Sequence, residues 1–349
     1  MFRSEGLRIK VIVAATALLA ASVATLVMWE SRPADAAFLG DNGMITFTRD
    51  PEPDINGNVN NEIYVMDAEG QHETRLTNNG PVFDNNPTFA PNGTRIAFDS
   101  FRDANDNIYM MDASDTDLDG NGDNLKRLTK KTADDEEPAF SPSGTKIAFT
   151  SNRADPSGDN FEIYVMKAKP EGRRNRPKNL TKNAAYDAEA SFSPDGTKIV
   201  FTSERQDSDG DIYVMNSDGT GVTRLTSNEA FDADANFSPA GDQIVFRSGR
   251  VAGDPSEVFV MDAVDADHNG EGDNMTNISN YSTANDAFPA FSPDGTKIVF
   301  RSNRTTGPGV VNPEEDYEIF VVSAEDGSAL VQLTNNADPD ARPDWGPLP

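Results

Sequence analysis

The sequence predicts an all-β protein: a six-bladed β-propeller of four-stranded antiparallel blades, closed by the C-terminal strand pairing into the first blade. Three observations lead there. One set of landmarks recurs six times in fixed order, the segments between landmarks are rich in Gly and Pro, and the chain stops one strand into a seventh copy. Repeats of this length signal a solenoid, propeller or array. Short apolar runs punctuated by Gly, Pro, Asn and Asp read as strands and turns rather than helices. With 26 Gly and 22 Pro, the composition agrees.

The first landmark is F-S-P-D-G-T-K-I-V-F, found as Phe89–Phe98, Phe140–Phe149, Phe192–Phe201, Phe237–Phe246 and Phe291–Phe300. A degraded copy spans Phe38–Phe47. It contributes two strands, x-P-x-F-S and I-V-F-x-S, joined by a tight S-P-D-G turn. Pro presets φ there, Asp bonds the following backbone, and Gly takes the φ > 0 position. The second landmark, E-I-Y-V-M, is a third strand, with its apolar residues starting at Ile63, Ile108, Ile163, Ile212, Val258 and Ile319. The third, R-L-T-x-N, ends a fourth strand at Leu76, Leu128, Leu180, Leu225, Ile278 and Leu333. Four-stranded units in series are propeller blades.

Blade number follows from spacing. The leading Phe residues fall 45 to 54 positions apart, and Trp345 stands where a seventh would. Pro343-Asp344-Trp345-Gly346-Pro347 repeats the frame of Pro87–Pro91, while the first copy is rich only from its second strand, Met44–Thr48. The segment around Trp345 therefore supplies the innermost strand of the first blade, which removes an open sheet edge.

These motifs resemble the TolB-type six-bladed propeller repeat, a WD-like family, over essentially all of residues 38–347. The resemblance implies the fold. It spans periplasmic TolB proteins, propellers attached to peptidases, and exported proteins of unassigned role. TolB proteins carry an N-terminal α/β domain, for which Ala37 to Met44 leaves no room, and no α/β-hydrolase segment follows the propeller.

Charge and composition exclude several functions. The chain has 30 Lys+Arg against 58 Asp+Glu, a formal net charge of −28. That balance is opposite to a nucleic-acid footprint, and it disfavours adsorption to an anionic membrane. With no Cys there are no disulfides, Cys-ligated metals or thiol nucleophiles. The two histidines, His72 and His268, cannot build a multi-His metal centre, and no nucleophile-elbow motif accompanies them.

Residues 1–36 read as an export signal. Arg3, Arg8 and Lys10 precede an uncharged apolar stretch from Val11 to Met28, and Ala34-Asp35-Ala36 offers a cleavage site. An uncleaved membrane anchor is the alternative. Residues 37–349 form the propeller, expected to be monomeric and not membrane-inserted once the signal is removed.

Three sets of residues are candidates for function. Asp84, Asp135, Asp187, Asp232, Asp286 and Asp340 each lie five positions before a leading Phe or Trp. Two readings fit: an acidic collar for a cation, or structural partners of Arg102, Arg153, Arg205, Arg250 and Arg304. The second is preferred, because a feature identical in every blade is usually what the fold needs. Blade one departs, with Pro51 at the Arg position and Arg49 two residues earlier. Function belongs where blades differ. Two positions after each ring Asp stand Asn86, Glu137, Glu189, Asp234, Phe288 and Arg342, an asymmetric mouth that is either a ligand-binding face or a solvated rim.

The third set is a pair of acidic loops between strands three and four. Asp115, Asp117, Asp119 and Asp123 in one match Asp265, Asp267, Asn269 and Asp273 in the other. Alternating oxygen ligands before a Gly resemble the first half of a calcium loop. Position 12 is Lys126 or Thr276 instead of Glu, so a plain solvated turn is the competing reading.

The expected function is an exported, non-catalytic scaffold binding an envelope or extracellular protein, peptide or glycan, with calcium as the one cofactor. The alternative is a carbohydrate- or peptide-active hydrolase or lyase using channel carboxylates. A calcium-stabilised cell-surface module is a third.

Overall fold

The computed structural model describes residues 41–349 apart from 51–59, 81, 131, 156–157, 159, 207, 252–254, 268 and 282. The expected signal segment, residues 1–36, and His268 lie outside the described residues. Residues 37–349 form one compact unit.

Six antiparallel sheets of four strands follow one another. The first contains β1 (Asn42–Arg49), β2 (Glu62–Met66) and β3 (Thr74–Arg75). The second runs through β4 (Asp84–Phe89), β5 (Arg95–Ser100), β6 (Asn107–Asp112) and β7 (Lys126–Arg127). Blade three is β8 (Asp135–Phe140), β9 (Lys146–Ser151), β10 (Glu162–Lys167) and β11 (Lys178–Asn179). Blade four is β12 (Asp187–Phe192), β13 (Lys198–Ser203), β14 (Asp211–Asn216) and β15 (Thr223–Arg224). Blade five is β16 (Asp232–Phe237), β17 (Gln243–Ser248), β18 (Glu257–Asp262) and β19 (Thr276–Asn277). Blade six is β20 (Asp286–Phe291), β21 (Lys297–Ser302), β22 (Glu318–Ser323) and β23 (Val331–Gln332). The last strand, β24 (Asp340–Pro347), joins blade one beside β1.

Closure is built from packing as well as pairing. Ile45 lies opposite Trp345 and Arg49 opposite Asp340. Trp345 is buried among Ile45, Phe47 and Met66 of blade one and Ala290, Val299 and Ile319 of blade six. On the other side, the Phe89 N–H donates to the Asp344 carboxylate at 2.7 Å. Gly346 is required at this seam, because a Cβ there would stand within 2.9 Å of three ring atoms of Phe89.

The core is a set of clusters that straddle neighbouring blades. Ala148, Ile163 and Leu180 of blade three, for example, pack with Phe192, Ile199 and Phe201 of blade four. No blade buries its apolar face alone, which is the general reason repeat units fold together.

The outer strand is shorter than the sequence suggests. Only two residues pair, and the L-T that was expected to end the strand lies just beyond it. Leu76 is fully buried, and Thr77 Oγ accepts the Ile63 N–H at 2.9 Å and donates to Glu62 at 2.5 Å. The same hydroxyl caps Ile108, Ile163, Ile212, Val258 and Ile319 from Thr129, Thr181, Thr226, Ser279 and Thr334. A side chain thus takes over where a backbone ladder would have continued.

Candidate functional site

The six ring carboxylates do not face a ligand. Each is 0% exposed. Asp84, Asp135, Asp187, Asp232 and Asp286 pair with Arg102, Arg153, Arg205, Arg250 and Arg304 at 2.5–3.0 Å. The geometry comes from the antiparallel register. Asp187 sits opposite Ser203, so the chain that leaves β13 brings Arg205 back over Asp187. Ser203 Oγ donates to Asp187 and accepts from Arg205 Nε at 2.8 Å. In blade one, Arg49 takes the place of both Ser and Arg. It lies directly opposite Asp340, with Nε at 2.7 Å and Nη2 at 2.9 Å from the two carboxylate oxygens. The departure at Pro51 is therefore compensated two positions earlier.

The variable residues stand next to these pairs and line the channel. Asn86, Glu137, Glu189, Asp234, Phe288 and Arg342 all line one cavity of about 220 Å³ bounded by the six innermost strands. Each has left-handed backbone, with φ between 49° and 57°. In blades two to six the ladder between the first two strands shifts register at this residue, which marks a β-bulge. Blade one shows the same shift between β1 and β24. A bulge re-aims a side chain, here toward the axis. Positive φ is unfavourable for Phe and Arg in particular; the conformation recurs in all six blades and so belongs to the fold, while the side chain it carries differs from blade to blade.

A relay of carboxylates supports the bulges. Asp99 accepts the Glu137 N–H at 3.0 Å, Glu137 accepts that of Glu189 at 2.9 Å, and Glu189 accepts that of Asp234 at 2.8 Å. Asp234 lies 3.4 Å from the Phe288 N–H, a weaker step. Thr150 and Thr202 donate to Glu137 and Glu189, and Asn86 donates to Asp99. Past Phe288 the character changes. The guanidinium carbons of Arg301 and Arg342 lie 4.6 Å from the Phe288 ring centre, and that of Arg247 lies 5.5 Å away. Arg247 pairs with Asp234 at 2.7 Å, and Arg342 bonds Asn86.

Asp99, Arg247 and Arg301 were not among the sequence candidates. All three occupy the position after the second landmark Phe, the x of F-x-S, which reads Thr48, Asp99, Thr150, Thr202, Arg247 and Arg301 around the ring. That position varies in charge while its neighbours repeat. The signal was present one residue from a landmark.

Each acidic loop brings three carboxylates together. One carboxylate oxygen from each of Asp115, Asp117 and Asp123 falls within 4.8 Å of the others, as it does for Asp265, Asp267 and Asp273. The Asp119 and Asn269 side chains accept the N–H of Asn121 at 2.8 Å and of Glu271 at 2.7 Å, just as Asp115 and Asp265 accept those of Gly120 and Gly270 at 2.8 Å. Both loops also staple blades: Gly122 donates to the Leu76 carbonyl at 2.7 Å and Gly272 to that of Leu225 at 2.6 Å.

Fold and channel define the class: a closed six-bladed propeller with an invariant Asp–Arg unit and a blade-specific mouth. Its fold is similar to the propeller of TolB proteins. Two TolB homologs are similar in sequence, one from Chlorobium luteolum at 27% identity over 163 residues and one from Chlorobaculum tepidum at 30% over 139. The matches cover 47% and 38% of this chain, and a third or less of those relatives (33% and 27%). The crystal structure of TolB from Acinetobacter baumannii superposes with a TM-score of 0.65 at 24% identity, covering 91% of this chain and 69% of that one. No family model matches the chain.

Crowding in the channel sets a pH response. Burial, opposed by bonds from Glu137 N–H and Asn86, pushes the Asp99 carboxyl up to about 7. Burial, then the charges of Asp99 and Glu137, pushes Glu136 up to about 8. Burial and Glu189 raise Glu137 and Asp234 as well. An unfolded carboxyl titrates near about 4. Between that pH and about 8 the folded protein holds more protons than the unfolded chain, so stability falls as pH rises. Thermal melts should show a higher midpoint at pH 5 than at pH 8. A midpoint that climbs across this window would contradict the assignment.

Proposed function

We propose that this chain is an exported, non-catalytic scaffold that holds a protein, peptide or glycan of the envelope or extracellular space at the channel mouth. One observation carries the reading. Every blade repeats the same buried Asp–Arg unit, yet at one strained position facing the channel the six side chains run Asn, Glu, Glu, Asp, Phe, Arg. A position selected only for folding has no need of that asymmetry. The likeness to TolB proteins supports an exported binding role, and the A-x-A site supports release from the leader. Against catalysis, Glu137, Glu189 and Asp234 are each engaged by a backbone N–H of the next blade.

Capture of envelope components on immobilised protein tests this. The wild type should retain a specific partner that Phe288→Ala loses, while Glu229→Ala in the exposed bend before β16 retains it. Turnover of a polysaccharide or peptide panel by the wild type, abolished by Glu137→Gln, would favour the hydrolase or lyase reading instead.

The same proposal includes calcium at the two acidic loops, supported by the convergence of three carboxylates in each. Like charges at that spacing repel, and a hard divalent cation with oxygen ligands relieves them. Extracellular modules of this kind bind at about 10⁻⁴–10⁻³ M. Calorimetric titration should show binding that Asp117→Ala with Asp267→Ala removes. No heat in the wild type would end this part of the proposal.

A further inference from the structure

The relay of carboxylate caps around the channel is incomplete. Asp99, Glu137, Glu189 and Asp234 each face the bulge N–H of the following blade. The next residue in the sequence of caps is Phe288, whose ring offers no carboxylate to Arg342. At that gap the charge inverts. Arg301 and Arg342 both contact Phe288, and among the described residues neither lies within ion-pair distance of a carboxylate. Arg301 is held between two rings, 4.6 Å from Phe288 and 4.1 Å from Tyr317, and its buried Nε has no hydrogen-bond partner among the described residues.

Such an arrangement is costly for the isolated protein. Burial lowers the proton affinity of Arg301; Tyr317 and Asp234 oppose that, and the nearby charges of Arg342 and Arg247 add to it. The ring pairs show how this chain treats guanidinium groups elsewhere, giving each a buried carboxylate. Here, in a chain of net charge −28, cations converge with one carboxylate, Asp234, which Arg247 already engages.

We propose that the gap between Phe288 and Arg342 is a binding subsite for the carboxylate of a ligand, received by Arg301 and Arg342. The inference rests on the reading of the mouth as a ligand face and names the chemistry recognised there. A guanidinium fork matches a planar carboxylate in a bidentate manner. The aromatic faces of Phe288 and Tyr317 fix the orientation of the Arg301 fork before the ligand arrives, which limits the entropy lost on binding. A phosphate dianion fits less well, because Asp234 and Glu189 stand on the adjoining steps and repel a second negative charge. A carboxylate completes the relay with the same group the protein itself uses on the four preceding steps.

The test uses the full propeller and defined probes at constant ionic strength: succinate, a blocked Gly-Asp-Gly peptide, and inorganic phosphate. Saturable binding of succinate or of the peptide is expected in the wild type. Binding of both places the subsite's preference on the carboxylate; binding of the peptide alone places it on an acidic side chain in a chain context. Arg301→Gln should weaken the interaction at least tenfold, Arg301→Lys less, and Arg174→Gln on an exposed loop not at all. Phosphate binding tighter than succinate, an unchanged affinity in Arg301→Gln, or no saturation by either carboxylate probe would overturn the inference. If Arg301→Gln fails to fold, a rise in the wild-type melting midpoint with succinate, absent with equal chloride, is the required result, and its absence counts against the subsite. Loss of the carboxylate response while Phe288→Ala still abolishes partner capture would reject this inference and leave the mouth reading intact. Failure of both would reject both.

Discussion

An aspartate removed from water must be neutralised, and this propeller meets that demand in every blade, five times by one arrangement and once, at Arg49, by a variant of it. Each blade begins its innermost strand with a fully buried Asp and ends its second strand by returning an Arg to it. The guanidinium also lies against a pair of neighbouring rings: Arg205 is 5.1 Å from Phe201 and 4.8 Å from Tyr213, whose centres are 5.9 Å apart. Carboxylate, guanidinium and aromatic pair thus form one unit tying the first three strands of a blade. Removing one partner of a buried pair leaves an uncompensated charge, typically at about 3–5 kcal/mol. The other layers depend on it: the start of β12 is fixed, the bulge two residues later is placed, and the channel side chain is aimed.

The ring of bulges turns that rigidity into a site. Left-handed backbone at Phe288 and Arg342 is disfavoured in isolation. It persists because the strand is anchored on both sides, by the Asp–Arg unit before it and by the apolar seam after it. At most steps a carboxylate from the preceding blade engages the bulge amide, so adjacent blades are coupled at the axis as well as through their cores. The channel is consequently acidic on one arc and cationic and aromatic on the other.

Most of the fold was legible because the repeat writes it out. Leading Phe residues, S-P-D-G turns and the misplaced Trp345 were enough to place six blades and the overlap that closes them. The Asp–Arg pairing followed from antiparallel register, and only Arg49 needed the structure, since it does the work of two residues at one position. The site was half legible. Counting two residues past each ring Asp found the mouth, but the bulge that aims those residues has no sequence signature in a Phe or an Arg. Asp99, Arg247 and Arg301 were hidden because one position in each landmark was treated as filler. In the acidic loops the alternating spacing was legible, since Asp115, Asp117 and Asp123 converge as Asp265, Asp267 and Asp273 do; the bonds that Asp119 and Asn269 make to the backbone of Asn121 and Glu271 were not. Of the acidic residues behind the net charge of −28, the six ring Asp are balanced by Arg, and Glu62, Glu257 and Glu318 are buried on third strands, accepting the Thr77, Ser279 and Thr334 hydroxyls.

The claim that the buried pair organises each blade is tested most directly by a double-mutant cycle on Asp187 and Arg205 in blade four, read by urea denaturation of the full propeller. The account predicts that Asp187→Asn and Arg205→Gln each destabilise by about 3–5 kcal/mol, and that the double variant costs well under their sum, since the second change removes a charge already stranded. Single changes that cost less than about 1 kcal/mol, the range of exposed pairs, or a double variant whose loss equals the sum, would contradict it.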